Sequence, residues 1–260
     1  MTDKEEIINR FYNNVKGKIP DVSSSNVKHD GKYGHWLEKR MDIKPNANNA
    51  PDLFGYEMKN QTSSGKITYG DWSASEYIFL GKSNIRNGTN KNFDINRSTF
   101  LKIFGKPNKQ KNNRISWSGT PCPTYYLDQT SYGQILEYDQ NKNIVITYSY
   151  SLDQRNNKKN IVPSNMKQNR LIIAKWLHQD LKKKLEKKFN QKGWFMCKKA
   201  LDGSYESICF GQPLDFKTWL KLFEDRIVFF DSGMYEGNDR PYSQWRSDSK
   251  FWYSLITDEY

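Results

Sequence analysis

Residues 48 to 61, "NNAPDLFGYEMKNQ", bring two carboxylates and one ammonium, Asp52, Glu57 and Lys59, within a short span of chain. The tyrosine and the alternation of "YEMKN" predict a strand, on which Glu57 and Lys59 emerge on one face while Tyr56 and Met58 pack on the other. Asp52 has the wrong parity to join them along a continuous strand. It joins them only if the chain reverses or bulges between, and Phe54-Gly55 supplies a flexible point, because glycine tolerates the backbone angles that such bends need. Pro51 fixes the approach to the bend. Such a trio suits metal-assisted hydrolysis of a phosphodiester. Hard cations such as Mg²⁺ prefer carboxylate oxygens and keep several waters; they neutralise charge building on a phosphate and lower the pKa of a bound water. Lys59 is expected to stay protonated and to hold the attacking water or stabilise the developing charge. The plain alternative is a surface ion pair between Glu57 and Lys59, an arrangement that contributes little.

The elements that must position these residues are legible by pattern. Thr2 with Glu5 three residues on forms a capping box, and Ile7, Ile8, Phe11 and Val15 follow at helical spacing. After a polar, glycine-containing stretch, "HWLEKRMDI" predicts a short amphipathic helix with Trp36, Leu37 and Met41 on one side, carrying Glu38 within reach of the same cluster. From 50 to 80 the period is two, with strands expected around 55–60 and 75–80 and "QTSSGKITYGDWSA" separating them. Residues 81 to 125 are rich in Asn, Lys, Gly and Ser, and read as long basic loops, either a solvated insertion or a grip on DNA backbone.

"GQILEYDQNKNIVITYSY" predicts a hairpin. "QNRLIIAKWLHQDLKKKLEKKFNQKG" predicts one long helix, with Ile173, Leu177, Leu181, Leu185 and Phe189 inward and Lys182, Lys183, Lys184, Lys187 and Lys188 on a solvated face. "WFMCKKALDGSYESICF" predicts a hairpin with a two-residue type I′ turn at Asp202-Gly203, which pairs Leu201 with Ser204 and Cys197 with Ile208 and puts Cys209 on the opposite face. A helix capped by Asp215, with Phe216, Trp219, Leu220 and Phe223 inward, precedes the strand "RIVFFD" and a polar-aromatic tail. The sum is an α/β chain of 260 residues, expected to fold as one domain, 1–260.

Composition narrows the partners. A net charge of +12 attracts polyanions, nucleic acid first among them. Aromatic residues make up 15% of the chain, too many for a disordered one. The charged start "MTDKEEIINRFYNNV" lacks the apolar core of a signal peptide, and no window matches a membrane span, so a cytoplasmic protein is expected. Three cysteines, Cys122, Cys197 and Cys209, with no CxxC pair argue against a disulfide framework or structural zinc and for a reducing compartment. His29, His35 and His178 are scattered, no GxxxxGK[ST] loop occurs, and Cys122 has no identifiable base, which disfavours histidine-metal, NTP-driven and thiol chemistries.

With these residues in view, the stretch resembles the restriction endonuclease-like nucleases, whose signature is P-D followed after a variable gap by (D/E)-x-K. More narrowly, "GHWLEKRMDI...NAPDLFGYEMK" resembles the MvaI/BcnI restriction enzymes and the related mismatch-repair nicking enzyme MutH, and "RIVFFDSGMYEGNDRPYSQWRSDSKFWYSLI" is similar to the closing strand and recognition segment of the MvaI/BcnI group. The resemblance implies a mixed sheet flanked by helices, in two lobes around a DNA cleft, with a catalytic lobe centred on 30–80 and a recognition segment centred on 226–256. It implies that Asp52 and Glu57 bind Mg²⁺, that Lys59 assists the nucleophilic water, that Glu38 supports the site and that the enzyme acts as a monomer. In the tail it matches Tyr235 and Arg240 to positions facing DNA. The relatives' H-D-H-G-like segment is replaced here by "SQWRSD", which holds no histidine; Gln244 and Arg246 suit adenine and guanine edges, and Trp245 between them completes the candidate DNA-binding set.

The expected activity is Mg²⁺-dependent, sequence-specific cleavage of double-stranded DNA in a restriction-modification system, with a cognate methyltransferase protecting the same site. MutH-like nicking and DNA binding without chemistry are the alternatives. The last needs no acidic cluster, since Asp52 and Glu57 would repel phosphate unless a metal intervened.

Overall fold

Thr2 caps the first helix as its spacing requires. Its hydroxyl accepts the Glu5 N–H at 3.2 Å, the Glu5 carboxylate accepts the Thr2 N–H at 2.7 Å, and α1 (Asp3–Asn14) begins there with Ile7 and Phe11 buried. Helix α2 (Lys32–Arg40) carries Glu38 and buries Leu37. The computed structural model describes residues 1–23, 31–44, 48–60, 62, 64–79 and 93–260; His29 and residues 81–92 of the basic loop region lie outside the described residues. The chain continues with β1 (Tyr56–Lys59), β2 (Lys66–Asp71), β3 (Glu76–Tyr77), α3 (Arg97–Phe104), β4 (Lys106–Asn108) and β5 (Arg114–Trp117). Next come β6 (Tyr132–Tyr138), β7 (Ile144–Asp153), α4 (Lys158–Ile161), β8 (Leu171–Trp176), α5 (His178–Phe189), β9 (Gly193–Lys199) and β10 (Tyr205–Gly211). The last elements are α6 (Phe216–Glu224), β11 (Phe229–Ser232), β12 (Met234–Tyr235), β13 (Ser243–Asp248), α7 (Ser249–Ser254) and β14 (Ile256–Glu259).

These elements group into two compact units whose segments interleave along the chain. Met1–Ile67, Lys184–Trp219 and Ser247–Tyr260 form the first, and Thr68–Lys183 and Leu220–Arg246 the second. The first holds a mixed sheet in the order β1-β9-β10-β14, with β1 parallel to β9 and the other pairs antiparallel. Strand parity divides its faces. Met58, Phe195 and Cys197 pack with Ile7, Phe11 and Leu37 from α1 and α2. Glu57 and Lys59 face the other way, where Trp194 of β9 meets Trp252 of α7 edge to face and Phe189 of α5 lies beside Trp252. Helices therefore flank the sheet on both faces, and the architecture is the expected mixed α/β one.

The second unit contains an antiparallel sheet β3-β8-β7-β6 and two three-stranded sheets, β11-β13-β2 and β12-β5-β4. Aromatic side chains fill its core: Trp245 lies within 6 Å of Trp176, Phe223 and Phe230, ring centroid to ring centroid.

Several expectations are corrected. The long helix over 168–193 is a strand and a helix: Ile173 lies in β8, and only from His178 does the chain turn helical. The β-branched and aromatic run "LIIAKW" is buried between β3 and β7, and that burial overrides the four-residue apolar spacing. The separator at 61–74 contains β2, the strand at 75–80 is only Glu76–Tyr77, and the basic region beyond residue 92 holds α3, β4 and β5. The hairpin turn is wider than two residues, since Gly203 N–H bonds to Ala200 O and Ala200 N–H to Ser204 O. A bulge at Tyr205–Ser207 then restores the register, so Cys197 does pair with Ile208. Cys122, Cys197 and Cys209 are all buried and free, and burial raises the Cys122 thiol well above its ordinary range, which opposes a nucleophilic role.

The parity of β1 is testable through Met58. Met58→Ala should cost about 2–4 kcal/mol in chemical denaturation because it empties a place in the core against α1 and α2, and equal stability to wild type would contradict the assigned face.

Candidate active site

The reversal demanded by Asp52 is a tight turn. Leu53 N–H bonds to Tyr56 O at 3.0 Å and Tyr56 N–H to Leu53 O at 2.8 Å, while Phe54 and Gly55 both take positive φ, +50° and +86°. Positive φ at both central residues marks the type I′ turn, which Gly55 suits and a bulky Phe54 adopts only under strain. The chain folds back so that Asp52 Oδ2 accepts the Met58 N–H at 2.9 Å, which brings Asp52 to the strand carrying Glu57 and Lys59.

Glu57 and Lys59 are 3% and 5% exposed, which rules out a surface ion pair. Lys59 Nζ lies 2.9 Å from Glu57 Oε1, with its ammonium over the rings of Phe189 and Trp252 at 4.8 and 5.8 Å. A second lysine meets the same oxygen: Lys188 Nζ is 3.0 Å from Oε1. Glu57 Oε2, by contrast, is buried and has no hydrogen-bond partner among the described residues. Burial, and then the charge of Glu57, push the Asp52 carboxyl up to about 7 against the opposing Met58 N–H, Lys59 and Lys188. Burial likewise lowers the Lys59 ammonium from its ordinary value.

A buried carboxylate oxygen without a donor, beside a second carboxylate held against ionisation, is a place that wants positive charge. Oxygen donors of this kind fit a small hard cation. Glu38 is not gathered in. It pairs with His35 at 3.1 Å on α2, and among the described residues no group of three or more His, Cys, Asp or Glu side chains is arranged to hold an ion.

The model of the LlaMI restriction endonuclease family matches residues 15–260 of the chain. The chain belongs to that family. It is 48% identical to the type II restriction enzyme ScrFI of Lactococcus lactis subsp. cremoris over 98% of both chains. Among solved structures it is similar to the restriction endonuclease MvaI–cognate DNA substrate complex, with a TM-score of 0.56 over 99% of this chain and 95% of that one. At 13% identity that likeness is one of fold. As a LlaMI-family member the chain is an enzyme, a type II restriction endonuclease, with the restriction endonuclease-like fold. Among the described residues no helix is long and apolar enough to cross a membrane.

Lys188 is the site residue that sequence reasoning missed, having been assigned to a solvated face. The signal was its place beside the apolar stripe of α5: Lys182, Lys183 and Lys187 are exposed, whereas Lys184 and Lys188 border Leu181, Leu185 and Phe189 and are half-buried.

The candidate DNA-binding residues of this LlaMI-family chain fall in the second unit. Tyr235 lies under the Arg114 guanidinium, 3.4 Å from its ring centroid, and half-exposed Arg240 pairs with Asp71 at 2.9 Å. Gln244 and Arg246 point outward from β13, hydrogen-bonded to one another, with Arg246 also 3.2 Å from Asp231 on β11. Trp245 points inward between them and is fully buried in the aromatic core. It is corrected from a DNA-contacting residue to one that fixes the strand.

These placements predict opposite effects on stability. Asp52 takes up a proton more readily folded than unfolded, so its contribution to stability is full below pH 4 and is lost as pH rises through about 7. Asp52→Asn should therefore stabilise the protein at pH 8 by about 1–3 kcal/mol, and less at pH 5. Trp245→Ala should destabilise it by about 3–5 kcal/mol, and Gln244→Ala by less than about 0.5 kcal/mol. Denaturant midpoints at the two pH values check all three.

Proposed function

We propose that this restriction endonuclease hydrolyses phosphodiester bonds of double-stranded DNA at a specific sequence, with Mg²⁺ as its cofactor. The observation that carries the reading is the pairing of Asp52, pushed up to about 7, with a buried Glu57 whose Oε2 has no donor among the described residues. Both features are unfavourable in a protein that never meets a cation and are explained in one that does. Asp52 and Glu57 would hold the ion through Asp52's carboxylate and Glu57 Oε2. Once bound, Mg²⁺ supplies neutralisation of charge on the phosphate and a more acidic water.

The chain's own residues do the rest. The turn at Phe54-Gly55 and the Met58 N–H fix the Asp52 carboxylate in one orientation. Glu57 is set by Lys59 and Lys188, and the rings of Phe189 and Trp252 keep water from Lys59. Lys59, its ammonium held between Glu57 and the two rings, orients the attacking water and stabilises the charge that develops as attack proceeds. Glu38, on α2 of the same unit, supports the site from outside the carboxylate pair.

Recognition is assigned to the second unit. The outward Gln244 and Arg246 offer donors and acceptors suited to base edges, and Tyr235 and Arg240, on the same unit, are the further residues assigned to contact DNA in this reading. The net charge of +12 supports backbone attraction. In this reading the enzyme works as a cytoplasmic monomer, with a methyltransferase guarding the same sequence.

Incubation with unmethylated plasmid and Mg²⁺ should yield discrete linear fragments, and Asp52→Ala and Lys59→Ala should each lose at least about a hundredfold in rate. DNA left intact across many sequences would refute the reading, and circles that are nicked but never linearised would replace it with strand nicking. At limiting Mg²⁺ the rate should fall as pH drops below about 7, because Asp52 then binds a proton in place of the ion, and added Mg²⁺ should restore it.

A further inference from the structure

Glu57 is held by one ammonium more than its own strand supplies. Lys188, in the last turn of α5, reaches the same Oε1 that Lys59 touches, at 3.0 Å against 2.9 Å. The two lysines are not equivalent. The Lys59 side chain is 6% exposed and its ammonium rests on two aromatic rings, so it cannot withdraw without losing those contacts. The Lys188 side chain is 20% exposed, on a flexible four-carbon stem from the border of the helix's solvated face.

Asp52 and Glu57 against Lys59 and Lys188 make a set of two negative and two positive charges when all are ionised. A divalent cation on the carboxylates adds two positive charges to a set already balanced, and like charges a few ångströms apart repel strongly where water is scarce. One ammonium becomes surplus, and only Lys188 is free to move.

Resting on the reading of Asp52 and Glu57 as the metal-holding pair, we propose that Lys188 is a positioning residue that stands in for the cation. Its ammonium holds and neutralises Glu57 in the metal-free enzyme and gives the carboxylate up on metal loading. Lys188 thus competes with the ion, keeping the carboxylates ordered while it is absent and raising the concentration at which it binds.

Titration of the full-length protein with Mn²⁺, followed by loss of the free-ion electron paramagnetic resonance signal, tests this. Lys188→Ala should bind Mn²⁺ on the order of tenfold more tightly than wild type and reach half-maximal cleavage at correspondingly lower Mg²⁺. Lys188→Arg should stay near wild type in both. Lys183→Ala, which removes an exposed lysine of the same helix, should leave both unchanged and controls for net charge. A merely structural Lys188 would show weaker or unchanged Mn²⁺ binding in Lys188→Ala, and either result overturns the proposal. Asp52→Ala separates the two layers. If it binds Mn²⁺ as wild type does, the carboxylate pair is not the metal site and both readings fall; if it alone loses binding while Lys188→Ala is unmoved, only the role of Lys188 falls.

Discussion

Water barely reaches Glu57, so its carboxylate depends on protein partners, and they serve its two oxygens unequally. Oε1 receives two ammonium groups while Oε2 receives none among the described residues. A buried charge left half-satisfied costs stability, and Asp52 beside it is held against ionisation by the same scarcity of water. The surrounding elements maintain this imbalance. Phe189 and Trp252 close over Lys59, α5 delivers Lys188, and the backbone of Met58 supplies a hydrogen bond that steadies Asp52. The protein thus keeps an ordered, half-satisfied pair of acidic side chains at the expense of its own stability.

Two devices bring the pieces together. The turn at Phe54-Gly55 reverses the chain within four residues, Leu53 to Tyr56, and turns the wrong parity of Asp52 into proximity. Parallel pairing of β1 with β9, in the register Glu57 to Trp194, does the long-range work, because Lys188 lies six residues before Trp194 at the end of the helix feeding β9. A one-residue slip in that register would turn every side chain of β1 to the opposite face.

The second unit uses period-two alternation for a different end. On β13 Ser243, Trp245 and Ser247 are buried, while Gln244 and Arg246 stand outward, steadied by each other and by Asp231 across the strand pair. The buried tryptophan anchors the strand in the aromatic core, and alternation sets the polar pair on its other face.

Much of this was legible in the residues alone. The capping box at Thr2, the faces of β1 and the need for a bend at Gly55 follow from rules that act within a few residues, and local sequence therefore determined them. The same locality explains the failures. The apolar spacing from Ile173 to Leu185 fits a helix, and only burial between neighbouring strands makes its first part β8; alternation puts Gln244 and Trp245 on opposite faces, yet only the core decides which face is inside. Lys188 shows the limit best. Its place beside the apolar stripe sets it apart from Lys182, Lys183 and Lys187 but not from Lys184, because its partner lies on a strand 131 residues earlier, a distance that sheet pairing closes. The sequence determined which chemistry the chain could carry; the tertiary structure decided which lysine joins it, since burial and long-range pairing are properties of the assembled sheet.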